Sequence, residues 1–91
     1  MDKVLQELAV LQMEALLRGI SFDIDLHYGS DKNPFVDVSM NYTDTGSIKK
    51  GFVLNTSFSA DLPKKHEDER FSQIKHFIYT VTGPKIDLQN D

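Results

Sequence analysis

Cysteine and tryptophan are absent from the 91 residues, proline occurs three times and glycine five. Without cysteine the chain can form no disulfide framework, no thiolate zinc site and no Cys nucleophile. No uninterrupted apolar run exceeds four residues, as at Leu8–Leu11. A membrane span or a secretory apolar core needs far longer runs, so the expectation is a soluble, cytoplasmic protein without membrane contact. The motifs of nucleotide and acyl-transfer chemistry are missing as well: no Gly-x-Gly-x-x-Gly, no phosphate-binding loop, no Gly-x-Ser-x-Gly elbow. His27, His66 and His76 form no i, i+4 pair and no His-Glu-x-x-His. Catalytic residues, cofactors and metals are therefore all expected to be none, and the chain is not expected to be an enzyme.

What is present suffices for a core. Leu, Ile, Val and Phe together make up 27 residues, about 30% of the chain and above the ~20% below which disorder is the better expectation. This length favours one domain. The formal net charge is −4, from 10 basic and 14 acidic residues, which argues against general polyanion binding. The charge is also unevenly spread. Residues 20–47 carry Asp23, Asp25, Asp31, Asp37 and Asp44 against Lys32, whereas residues 48–66 carry Lys49, Lys50, Lys64 and Lys65 against Asp61.

Met1 to Arg18 reads as an amphipathic helix. At 100° per residue Leu11, Val4, Ala15, Leu8, Leu5, Leu16 and Ala9 fill one arc, interrupted only by Gln12, and Lys3, Glu7, Glu14 and Arg18 lie opposite. Asp2 is placed to cap the first turn, and Gly19 with Ile20 behind it makes a left-handed stop with an apolar contact. Val10, Met13 and Leu17 form a second apolar stripe at i, i+3, i+7 on a neighbouring face. An ordinary amphipathic helix has no use for it. The stripe either packs against another helix of the chain or mediates self-association, and the latter is preferred because a small domain gains much from a partner's surface.

From Ile20 the period changes to two. Ile20, Phe22, Ile24, Leu26 and Tyr28 alternate with Ser21, Asp23, Asp25 and His27, and Val36, Val38, Met40 and Tyr42 alternate with Asp37, Ser39 and Asn41. The turn-forming run Gly29–Pro34 separates them. Another turn at Thr43–Gly46 leads to a third strand, about Ile48 to Phe58, in which Lys50 falls in the inward phase, so that Gly51 is expected to mark a bulge or a change of register. After Pro63 a second helix begins near Lys64 or Lys65. Phe71, Ile74, Phe77, Ile78 and Val81 line one side of it, and Gly83-Pro84 ends it. Ile86 and Leu88 alternate in a short tail whose default is to fray.

The expected fold is α+β: a two-layer sandwich in the order α-β-β-β-α, with a three-stranded antiparallel meander and both helices on one face. Residues 1–83 form the domain and residues 84–91 the tail. Phe22, Ile24, Leu26, Val38, Leu54, Phe71, Ile74 and Ile78 are expected in the core. The expected strand register sets Tyr28 opposite Val36, Leu26 opposite Val38, Ile24 opposite Met40 and Phe22 opposite Tyr42. It leaves an uncovered polar face where Asp25 meets Ser39, Asp23 meets Asn41, and His27 pairs with Asp37.

The order of elements resembles that of double-stranded RNA-binding domains, and Lys64-Lys65-His66 lies where the second helix of that family begins. The resemblance would imply phosphate contacts from that helix start. Here Glu67, Asp68 and Glu69 follow at once, and Gly29–Pro34 lacks the Gly-Pro-x-His-like turn between the family's first strands. RNA binding therefore ranks behind two other functions. The first is a non-enzymatic protein-interaction or regulatory module that forms a homodimer through Val10, Met13 and Leu17. The second is an acidic nucleic-acid mimic or inhibitor of the kind phages encode, docking Asp23, Asp25 and Asp37 into a basic groove of a protein partner.

Overall fold

The structure, a computed structural model, describes residues 1–29, 33–44 and 50–81. Helix α1 (Asp2–Leu17) is followed by strands β1 (Ser21–Tyr28), β2 (Pro34–Asp44) and β3 (Lys50–Ser59), and then by helix α2 (Lys64–Val81). The strands form one antiparallel sheet in the order β1-β2-β3. This is the α-β-β-β-α, α+β architecture that the change of hydrophobic period predicts.

The stop of α1 shows how local chemistry sets the layers. Gly19 adopts φ 80°, a left-handed conformation that a Cβ would penalise. That turn lets the amide of Ile20 donate to the Ala15 carbonyl at 2.9 Å and the amide of Gly19 donate to the Leu16 carbonyl at 3.1 Å. Ile20 is thereby buried behind the helix end, and β1 starts on the next residue, directed back under α1. At the other end the cap differs from expectation. Met1 is the N-cap residue and no side chain caps the helix, because Asp2 already belongs to the first turn. There its carboxylate meets the helix dipole without bonding to an amide.

One core joins the two layers. Val4, Leu8, Leu11 and Ala15 of α1 meet Ile20, Phe22, Val36, Val38, Met40 and Phe58 on one face of the sheet and Phe71, Ile74 and Ile78 of α2. Both helices therefore cover the same sheet face, α1 above β1 and α2 above β3. Phe58 and Phe71 pack ring to ring with centroids 4.7 Å apart. Each such large side chain removed from water contributes about 1.5–3 kcal/mol. Along their shared flank the helices are joined by polar contacts. Lys75 Nζ lies 3.4 Å from Glu7 Oε2, and the Arg18 guanidinium lies 4.5 Å from the centre of the Tyr79 ring while its Nε donates to Glu14 at 2.8 Å.

Gln12, the one polar residue inside the apolar arc of α1, sits at the seam between helix and sheet. Its Nε2 donates to the carbonyl of Phe22 on the edge strand β1 at 2.8 Å. Arg70 of α2 does the same for the Ser57 carbonyl on the other edge strand, β3. At the start of α2, Lys64 would oppose the helix dipole. It is held instead by Asp68 at 3.0 Å and Glu67 at 3.4 Å. The hydrogen bond and charge of Asp68, followed by those of Glu67, raise the Lys64 amine above its ordinary 10.5.

Several expectations are corrected. The β1–β2 register is two residues tighter than expected: Tyr28 pairs with Pro34, Leu26 with Val36, Ile24 with Val38 and Phe22 with Met40. A bond from the Gly29 amide to the Asn33 carbonyl, 3.0 Å long, closes a shorter connection, and Pro34 enters as the first residue of β2, where the lack of an amide hydrogen is tolerated. A shift of two preserves the faces, so the inward set remains inward. Gly51 makes no bulge, because the ladder runs unbroken from Phe35↔Ser59 to Asp44↔Lys50, which is the last described rung. Leu26, expected in the core, is 58% exposed, and Ile24 and Leu54 are only half-buried. Leu16 and Ala9 also lie outside the core, since α1 buries only the side of its apolar arc that runs from Leu11 to Leu8. Thr43 and Asp44, expected in the turn, belong to β2; Thr45, Gly46, Ile48, the Gly83-Pro84 stop and the tail lie outside the described residues.

Candidate functional site

Two surfaces carry the residues singled out from the sequence. The first is the sheet face turned away from the helices. On it β1 presents Ser21, Asp23, Asp25 and His27, and β2 presents Phe35, Asp37, Ser39 and Asn41. The two-residue shift in register changes the neighbours. Asp25 stands directly across from Asp37, Asp23 across from Ser39, and His27 across from Phe35. The expected His27–Asp37 contact survives as a diagonal one, with Nε2 3.4 Å from Oδ2, while the imidazole stacks on the Phe35 ring at 5.1 Å between centroids. Ser39 Oγ donates to Asn55 Oδ1 at 2.6 Å. Asp23, Asp25 and Asp37 are all exposed.

Among the described residues nothing on this face encloses the carboxylates. Side-by-side carboxylates do acid–base work or hold a hard cation when burial separates their pKa values or further oxygen ligands complete a shell. Among the described residues no group of three or more His, Cys, Asp or Glu is arranged to hold a metal ion. His66 pairs with Glu69 at 3.2 Å within α2, and Lys64 with Asp68 and Glu67. At the basic start of α2, Lys64 and His66 thus have acidic partners within the first turns of the same helix.

The second surface is the outer side of α1. Val10 is 68% exposed, Met13 63% and Leu17 78%. The second helix does not cover them, because it meets α1 along the flank that carries Glu7 and Arg18. Leu16, 56% exposed, joins the stripe. The sequence pattern places Leu16 inward because it lies within the apolar arc, but the structure buries the other side of that arc, from Leu11 to Leu8. Leu26 and Tyr28 lie in the inward phase of β1 but are exposed. They belong to the same edge of the molecule, where α1 overlies an edge strand. No helix among the described residues is long and apolar enough to cross a membrane.

Comparison of the chain with protein-family models, curated proteins and solved structures finds no match.

Proposed function

We propose that this protein is a small non-enzymatic interaction module of the cytoplasm that associates with a second copy of itself through the outer side of α1. The observation that carries the reading is the exposure of Val10, Met13, Leu16 and Leu17 together on one helix. Single exposed apolar residues are ordinary, but a contiguous set of large ones is what protein interfaces use. A twofold axis along the helix would set each copy's stripe against the other's, which is the commonest way to close an oligomer. Leu26 and Tyr28 at the same edge extend the apolar area available to such an interface. Measuring molecular mass as a function of concentration tests the reading, and an association that persists when salt is raised is the expected signature of apolar contact.

A second reading is favoured by the open sheet face, on which Asp23, Asp25 and Asp37 stand exposed within two neighbouring strands. Carboxylates so spaced would serve an inhibitor that presents negative charge to a basic nucleic-acid-binding groove. Such a complex would weaken steeply with ionic strength, and replacement of the three residues by Asn would abolish it.

A further inference from the structure

Strand β1 is an edge of the sheet, and its exposure climbs along its length. Phe22 is buried, Ile24 half-buried, Leu26 58% exposed and Tyr28 80% exposed, although all four lie in the inward phase. The partners of the first three across the ladder, Met40, Val38 and Val36, stay buried. The helical layer thus covers β2 along this stretch and withdraws from the second half of β1. Backbone polarity leaves the same stretch open. The Gly29 amide donates to the Asn33 carbonyl, one rung beyond Tyr28↔Pro34. The odd-numbered residues of β1 therefore exchange bonds with β2, and the even-numbered ones turn their amides and carbonyls to the outer edge. At Phe22 that edge carbonyl is taken by Gln12. Over residues 24–28 no further strand among the described residues pairs with the edge.

We propose that residues 24–28 pair antiparallel with the same strand of a second copy, about a twofold axis at Leu26, so that the two sheets become continuous. The segment is self-complementary. Ile24-Asp25-Leu26-His27-Tyr28 reads apolar, acidic, apolar, basic, apolar. Reversed against itself, it sets Leu26 on Leu26, Ile24 on Tyr28, and Asp25 on His27 of the other copy. A contact between identical surfaces requires this property. Neighbouring registers that also match edge-facing residues lack it: an axis at Asp25 opposes that carboxylate to itself, and an axis at Ile24 opposes Asp23 to Asp25. Like charges so placed destabilise a strand pair. The register centred on Leu26 avoids both and gives Leu26 and Tyr28 apolar neighbours across the new ladder. The inference rests on the self-association proposed above. A short two-stranded contact is marginal by itself, so the strand pairing extends the contact made by α1 and does not replace it.

The test is nuclear Overhauser spectroscopy on the full chain, in a sample mixing isotopically labelled and unlabelled molecules. In the proposed register Asp25 and His27 of the other copy form a non-hydrogen-bonded pair, with Cα atoms about 4.5 Å apart. The expected result is contact between the Hα protons of Asp25 and His27 that crosses from labelled to unlabelled molecules. Leu26→Pro removes an amide hydrogen that faces the edge and leaves the ladder to β2 intact. It should abolish that contact and raise the dissociation constant about tenfold or more in sedimentation equilibrium. Should that variant lose its fold, Leu26→Lys, at a position 58% exposed, places two ammonium groups on the axis and should have the same effect. A dimer that lacks the contact between Asp25 and His27, or a folded Leu26 variant that associates as tightly as the unaltered chain, would overturn the strand pairing and leave the α1 reading in place. A chain that stays monomeric would overturn both.

Discussion

Asp25 stands directly opposite Asp37 on the uncovered face of the sheet. Like charges on facing residues of an antiparallel pair repel, by about 0.2–1 kcal/mol relative to a neutral pair, and His27 beside Asp37 offsets only part of this. Asp25→Asn should therefore stabilise the protein by about that amount in denaturant melts at low salt, with the gain shrinking in 1 M salt as about 3 Å of screening length sets in. Loss of stability on this substitution would show that the two carboxylates do not face each other.

Burial separates residues that the sequence pattern alike assigns to the core. Phe71, packed on Phe58 and 5% exposed, should cost about 3–5 kcal/mol when truncated to Ala. Leu26, in the inward phase of β1 but 58% exposed, should cost less than about 0.5 kcal/mol. Comparable losses from the two, read from chemical melts, would mean that α1 covers the hairpin end of β1 after all.

Which strand face is buried was legible from period-two alternation, and the stop of α1 from Gly19 and the start of α2 from Pro63, because these depend on neighbours in sequence. Register was not, because alternation is blind to a slip of two; the bond between Gly29 and Asn33 decides it. Nor was the exposure of Leu16 and Leu26. A wheel or a strand pattern marks which side chains could be covered, whereas coverage depends on where α1 crosses the sheet and which flank α2 takes. The acidic face was visible as residues but not as pairs.

Gly19 holds the helix stop in a left-handed conformation with open space around its Cα. Gly19→Ala meets no steric neighbour, so its effect isolates the backbone cost of φ 80°. That cost should be about 1–2 kcal/mol. A neutral thermal melt of the variant would argue that the turn between α1 and β1 relaxes to another conformation.

The central claim is that the outer side of α1 is an interface between two copies. Met13 is 63% exposed in the single chain, so Met13→Lys should leave the fold of one chain intact while placing two facing ammonium groups in the dimer. Sedimentation equilibrium at about 100 μM, where a Kd of that size corresponds to a binding free energy of about −5.5 kcal/mol, measures this directly. The account predicts a dimer for the unaltered protein and a folded monomer for Met13→Lys. A monomer for the unaltered protein at that concentration, or a Met13→Lys variant that remains dimeric, would contradict it.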